Sequence, residues 1–289
     1  MSSTTGVTPA TRIYGESDRL HILNALHNER DKCHVLVPPG IGEFLWVWSK
    51  LQHVQTPLRF WFTSHEPRRA HQVCDLLGVD YGYAGLVHTD YLLGEFSGEP
   101  CDGDFVPGGL RVVHINDHLE RGLPLKQWAP WLPYKNPIPP QKPLPYGDWV
   151  MVHACNEGYS EGNLNAWQWA NIIERIEAAG FPVRLVGALW DMSFAFEIMD
   201  LYRPKGSPII CQSLEFVLQT MMDGKGFLGL NSGLGIMAAY AGVHTLEGYP
   251  KWLYPLARNW PTEDITKHMW CNTFEIPLML DVFLAKLER

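Results

Sequence analysis

Between Pro133 and Pro145 the chain carries proline at 133, 137, 139, 140, 143 and 145. A segment with so many fixed φ angles and missing N–H donors can continue neither a helix nor a central strand. It reads as a linker centred on residues 137–146, which leaves an amino-terminal half, 1–136, and a carboxyl-terminal half, 147–289. The 289 residues are enough for two compact units of roughly 100–200 residues each.

Both halves repeat one plan, in which an apolar β-rich run meets a glycine turn and then a stretch with helical spacing. In the first half, Cys33–Val37 is the run, Pro38-Pro39-Gly40-Ile41-Gly42 the turn, and Ile41, Phe44, Leu45, Trp48 and Leu51 the helical face. A strand over 58–62, a helix over 69–77 and a strand over 109–113 follow, with a short helix predicted ahead of them at 18–28. In the second half the sequence predicts strands at 149–153, 182–186, 208–211, 226–230 and 244–247. Helices are predicted at 166–179, 214–222 and 234–241, and a closing amphipathic helix carries Ile276, Leu280, Phe283, Leu284 and Leu287. Strands separated by helices, without hairpin signals, make each half a doubly wound, Rossmann-like α/β unit.

Composition narrows the function classes. Hydrophobic residues make up 46% of the chain and charged residues 19%, which is ample apolar surface for packed cores. Basic residues number 23 against 31 acidic ones, so the net charge of −8 disfavours polyanionic partners unless basic residues cluster. Cys33, Cys74, Cys101, Cys155, Cys211 and Cys271 form neither a C-x-x-C pair nor a metal-ligand spacing, which suits reduced thiols in the cytoplasm. Met-Ser-Ser-Thr-Thr lacks the features of a signal peptide, and no run reaches the ~18–20 apolar residues of a membrane span. Neither a metal nor a resident cofactor is expected. The 12 Trp, 11 Tyr and 12 Phe suit aromatic cores as well as a cleft for sugars or bases.

In open α/β sheets ligands gather at the carboxyl ends of the strands, so the glycine turns there carry most functional weight. Asn231-Ser232-Gly233-Leu234-Gly235 opens a helix directly after a strand, and a helix start offers unpaired N–H groups and partial positive charge to a phosphate. The same residues suit a plain helix start, with Ser232 as cap and glycines for close packing. Gly40 and Gly42 mark the opposing turn. Glu43 follows in the first turn of its helix, where it suits either a general base facing a cleft or a carboxylate settled on the macrodipole.

These residues resemble the GT-B glycosyltransferases, in particular the heptosyltransferase-like group called glycosyltransferase family nine and its phage-encoded relatives. That group opens with a strand, a Gly-Asp turn and a helix, its aspartate being the catalytic base; here Gly42-Glu43 stands in that place. Its second signature, an Asp-Thr/Ser-Gly-Leu turn before a helix of small apolar residues and a strand, is similar to Asn231-Ser232-Gly233-Leu234, Met237–Gly242 and Val243–Glu247. The resemblance implies a GT-B fold of two Rossmann-like domains joined by the Pro-rich linker. The first domain would face the acceptor and the second would bind a nucleotide-sugar, with the diphosphate on the backbone of Asn231, Ser232, Gly233 and Leu234.

The group also has a basic residue ahead of a Trp in the loop after the first strand of the second half; this chain has Asn165-Ala166-Trp167. Asn165, within the polar run 156–165, would contact donor oxygens. Gly187 and Asp191 follow the next strand, where the group places an acidic residue on the ribose; Asp191 also suits a helix cap. The run Asn116-Asp-His-Leu-Glu-Arg-Gly is similar to phage-type members. The implied reaction is inverting, metal-independent glycosyl transfer to an acceptor hydroxyl, on a lipopolysaccharide-type glycan or a hydroxymethylated DNA base. A DNA acceptor would call on Arg68, Arg69, Arg121 and Lys126.

Three other readings compete. Gly40-x-Gly42-x-x-Leu45, with Glu66 near the end of the next strand, imitates a dinucleotide fingerprint without its third glycine and would fit an NAD-dependent oxidoreductase. Asp102-Gly-Asp104 spells the D-x-D of metal-dependent sugar transferases, but in a Gly- and Pro-rich stretch rather than at a strand end. A non-catalytic nucleotide- or glycan-binding protein would use the same turns without turnover.

Overall fold

The computed structural model describes residues 28, 32–37, 40–52, 57–62, 70–83, 112–114, 138, 147–154, 163–250 and 267–288. The first half contains β1 (Cys33–Val37), α1 (Ile41–Leu51), β2 (Leu58–Phe62), α2 (Ala70–Leu77), β3 (Tyr81–Tyr83) and β4 (Val112–His114). The second runs β5 (Val150–His153), α3 (Ala166–Ala178), β6 (Val183–Gly187), α4 (Met192–Leu201), β7 (Ile209–Ile210), α5 (Leu214–Asp223), β8 (Gly226–Leu230), α6 (Gly233–Tyr240), β9 (His244–Tyr249), β10 (His268–Asn272) and α7 (Ile276–Leu287).

All pairings are parallel, and they build two sheets, β3-β2-β1-β4 and β10-β9-β8-β5-β6-β7. Counted within its half, each sheet follows the doubly wound order 3-2-1-4, and the second continues to 5-6. The strand order therefore reverses between β1 and β4 and between β5 and β8, and the crevice outside those strand ends is where such sheets take ligands.

Helix and strand chemistry explain the layers. Val35 and Val37 of β1 are fully buried, as a parallel strand covered by helices requires. On α1, Ile41, Phe44, Leu45, Val47 and Leu51 are buried, and Phe44 meets Phe60 edge-on at 5.1 Å and Phe62 at 6.1 Å, fixing the helix over β2. Asn165 caps α3 in a reciprocal box with Gln168, both bonds being 2.9 Å, while Trp169, Ile172, Ile173 and Ile176 form its inner face. Every residue of α6 from Leu234 to Tyr240 is buried, because α6 lies between its own sheet and α1.

The two halves share one apolar core. Val35, Phe44 and Phe60 from the first belong to the same buried cluster as Met151, Val217, Phe227 and Met237 from the second, where α1 packs on α6 and α2 on α5. A second cluster, with Val152, Trp169, Ile173, Leu228 and Phe283, lies on the other face of the larger sheet.

Most expected elements stand within a few residues of their predicted bounds; the strand from His244 extends to Tyr249. Three elements were not anticipated. Helix α4 leaves Met192, Phe196 and Leu201 exposed, which blurs its periodicity, and β3 is only three residues long. Strand β10, His-Met-Trp-Cys-Asn, has no β-branched residue to announce it. The predicted helix at 18–28 and the Pro-rich segment lie outside the described residues, apart from Asn28 and from Ile138, which is buried in the shared core.

Because Phe44 anchors the helix that begins at the first glycine turn, Phe44→Ala should cost about 3–5 kcal/mol. Urea denaturation checks this, and a loss below ~1 kcal/mol would mean that the ring stack does not hold α1.

Candidate functional site

The turns after β1 and β8 meet. Gly40 caps α1 in extended conformation, and its carbonyl accepts from Phe44 N–H at 3.1 Å. A Cβ built on Gly233 would stand 2.6 Å from the Cβ of Ile41 and 3.4 Å from the backbone nitrogen of Gly42. The first turn of α6 and the first turn of α1, which carries Glu43 next to Gly42, are thus neighbours, and glycine at 233 permits the approach.

In the β8–α6 turn, Asn231 N–H donates to the Gly248 carbonyl at 2.8 Å. Ser232 Oγ accepts from Gly235 N–H at 3.3 Å, and Ser232 O accepts from Ile236 N–H at 3.2 Å. Among the described residues none accepts from the N–H of Gly233 or Leu234, so these two amides lie unengaged at the positive end of α6.

Behind that turn, a polar chain crosses the carboxyl ends of the strands. His153, last residue of β5 and 7% exposed, places Nδ1 3.2 Å from Ser232 Oγ and Nε2 3.4 Å from Asp191 Oδ2. Asp191, 3% exposed, also accepts from Ala188 N–H at 2.8 Å and so closes the turn after β6. Donors and acceptors match when the Ser232 hydroxyl donates to Nδ1 and Nε2–H donates to Asp191. The imidazole then links two strand-end turns in one orientation.

On the other side of Ser232 lies Glu247 of β9, with no exposed surface. Its Oε1 accepts from Ser232 N–H at 3.4 Å and its Oε2 from the Tyr249 hydroxyl at 3.0 Å. Glycine at 235 makes room for this carboxyl, since a Cβ there would collide with Oε1. His268 of β10 brings Nε2 to 3.5 Å from Oε2, and its Nδ1 lies 2.7 Å from Thr245 Oγ1.

Burial pushes the Glu247 carboxyl up to about 8, against the opposing hydrogen bonds from Tyr249 and Ser232, and pushes His268 down to about 4. At neutral pH the pair is therefore uncharged, and the 3.5 Å approach of Nε2 to Oε2 is a contact between neutral groups, not an ion pair.

The sequence-predicted residues distribute around this geometry. Gly40, Gly42, Asn231, Ser232, Gly233 and Leu234 lie on the two confronting turns. Glu43 lies in the first turn of α1. Gly187 ends β6, where a Cβ would stand 2.8 Å from Asp191 Cβ, so its small size admits Asp191. The Asp191 carboxylate faces inward to His153 and the Ala188 amide, and Leu189 and Trp190 are the exposed members of its turn. Asn165 is exposed, with its amide oxygen committed to the α3 cap.

Glu66, Arg68, Arg69, Asp102, Asp104, the 116–122 run, Arg121 and Lys126 lie outside the described residues. No group of His, Cys, Asp and Glu among the described residues could hold a metal ion, and no described helix is long and apolar enough to cross a membrane. Sequence reasoning passed over His153 and Glu247. For His153 the signal was available, since a polar residue ends the apolar run Trp149–Val152; Glu247 follows Val-His-Thr-Leu, whose mixed character gives no such signal.

No family model matches the sequence, and no curated protein does. Solved structures do match in fold. The Escherichia coli heptosyltransferase WaaC, solved with ADP, superposes with a TM-score of 0.56 at 10% identity, over 87% of this chain and 99% of that one. The E. coli ADP-heptose lipopolysaccharide heptosyltransferase II gives 0.54 at 11% identity, over 89% of this chain and all of the other. A family 9 glycosyltransferase of Veillonella parvula gives 0.55 at 10% identity, over 87% and 88%. The architecture is thus the two-domain α/β GT-B fold of the heptosyltransferase-like glycosyltransferases.

The folded chain resists protonating His268 until pH falls to about 4, while an unfolded chain takes up that proton near 6.5. Stability from this group is full above 6.5 and is lost as pH falls toward 4, at about 1.4 kcal/mol per pH unit. His268→Asn should therefore gain on the wild type progressively between pH 6.5 and 4 in thermal melts; a constant difference across that range would contradict the assignment.

Proposed function

We propose that this protein is a cytoplasmic glycosyltransferase that moves a sugar from a nucleoside diphosphate donor to an acceptor hydroxyl. The observation that carries the reading is the meeting of the two glycine turns at Gly42 and Gly233, with the Gly233 and Leu234 amides unengaged beside a turn that bears a carboxylic acid. That fold is shared with the heptosyltransferase WaaC, solved with ADP and with ADP-2-deoxy-2-fluoro heptose, and with the ADP-heptose lipopolysaccharide heptosyltransferase II.

In this reading Glu43 takes the proton of the acceptor hydroxyl, the freed oxygen attacks the anomeric carbon, and the bond from that carbon to the phosphate oxygen breaks with inversion. The Gly233 and Leu234 N–H groups and the pole of α6 stabilise the charge that develops on the departing diphosphate, without a metal. Asn231 and Ser232 shape that cradle. The ribose lies along the turn from Gly187 to Asp191, and Asn165 borders the donor at the start of α3. The acceptor is a lipopolysaccharide-type glycan or a hydroxymethylated base.

A hydrolysis screen over UDP-, GDP-, CDP- and ADP-sugars, followed by mass spectrometry of acceptor candidates, tests the reading directly. In the same assay Glu43→Gln should lower kcat by about 10²–10⁴-fold while donor Kd stays within a few-fold. A variant with wild-type kcat would remove Glu43 from the base role.

A further inference from the structure

Among the described residues, the charges around the β8–α6 turn are distributed oddly for a site that takes a diphosphate. Every described Lys and Arg of the second half lies toward the opposite, amino edge of the sheet. Arg184, Lys225 and Lys267 lie at or just before the starts of β6, β8 and β10, Arg203 and Lys205 follow α4, and Arg175 and Lys286 end α3 and α7. The turn itself has the helix pole, equivalent to about half a charge, and a carboxyl group placed against that same pole. Glu247 Oε1 lies against Ser232 N–H and within the space a Gly235 side chain would need.

We propose that Glu247 is a proton-linked gate on this turn, a role that rests on reading the turn as the donor diphosphate site: the anion binds at Gly233 and Leu234 only while Glu247 carries a proton. Ionised, Glu247 is an internal anion that occupies the positive end of α6 and repels a second one in a water-poor setting where Coulomb forces are weakly screened. Protonated, it leaves the helix pole to the ligand and keeps its contacts with Ser232, Tyr249 and His268.

Among the described residues, the groups that face Glu247 supply no compensating cation. From β9 comes the Tyr249 hydroxyl, and from β10 His268, held neutral by its burial. From β5, His153 stands beyond Ser232 and engages Asp191. Helix α6 brings no ionisable side chain between Gly233 and Ala239. The 3-10 turn before α7, which packs on β9, carries Glu275, exposed and accepting from Asn272 N–H.

With the Glu247 proton lost near pH 8, nucleoside diphosphate affinity should be flat from pH 7 to about 8 and weaken about tenfold per pH unit above it. Calorimetry of the full chain with ADP, UDP, GDP and CDP, in paired buffers of different ionisation enthalpy, reads both affinity and proton uptake. The expected result is uptake approaching one proton per ligand at pH 9, near zero at pH 7, and absent in Glu247→Gln, whose Kd no longer depends on pH. Tyr249→Phe keeps the carboxyl and removes a donor that favours its ionised form, so the break in affinity should move to higher pH.

A pH-independent wild-type Kd overturns the gate, as does uptake that persists in Glu247→Gln or disappears in His153→Asn alone. If no nucleoside diphosphate binds at any pH, the donor-site reading fails, and the gate with it.

Discussion

The close approach of Gly233 to Ile41 and Gly42 is the contact on which the rest of the structure depends. It lets the first turns of α1 and α6 come together, so that two sheets, each with its own reversal of strand order, present their carboxyl ends to one place. Any side chain at 233 would force these helices apart. The apolar core that spans both halves, from Phe44 and Phe60 to Phe227 and Met237, holds the approach in place from behind. Shape complementarity over that core and the missing Cβ at 233 act together: the first supplies the attraction, and the second sets the distance.

Polar order at the site comes from a second device. Asp191, His153, Ser232, Glu247 and His268 form a chain of contacts across the carboxyl ends of β6, β5, β8 and β9 and on to β10. Each member is buried or nearly so, except Ser232, whose turn opens toward α1. Buried polar networks of this kind fix side-chain orientation strongly, because breaking one link leaves a donor or acceptor unsatisfied in a low-dielectric interior. Ser232 is the hinge of the network, since its hydroxyl serves both the α6 cap and His153 while its N–H turns back to Glu247. The amides without an acceptor among the described residues are therefore those one and two residues further on.

Much of this was legible in the residues. Hydrophobic periodicity placed β1, β2, α1, α3, α5, β8 and α6 because each element buries one face or both against neighbours of the same kind. The glycine turns marked both strand ends that matter. Weakly patterned elements escaped notice for equally physical reasons: α4 exposes Met192 and Phe196, and β10 depends on its pairing with β9 more than on its own residues. Asp191 was visible as an acidic residue after a strand, but its inward direction was not, because that depends on the missing side chain at Gly187 and on an imidazole 38 positions away in sequence.

Local propensity, backbone freedom and periodicity are enough to place the two α/β halves, the glycine turns, and Glu43 and Ser232 at helix starts. That the turns confront each other, and that His153 and Glu247 flank Ser232, comes from the packed fold. The packed fold also decided that Glu247 and His268 are neutral partners. Each of these depends on strand order and on burial, and both arise from contacts between residues far apart along the chain.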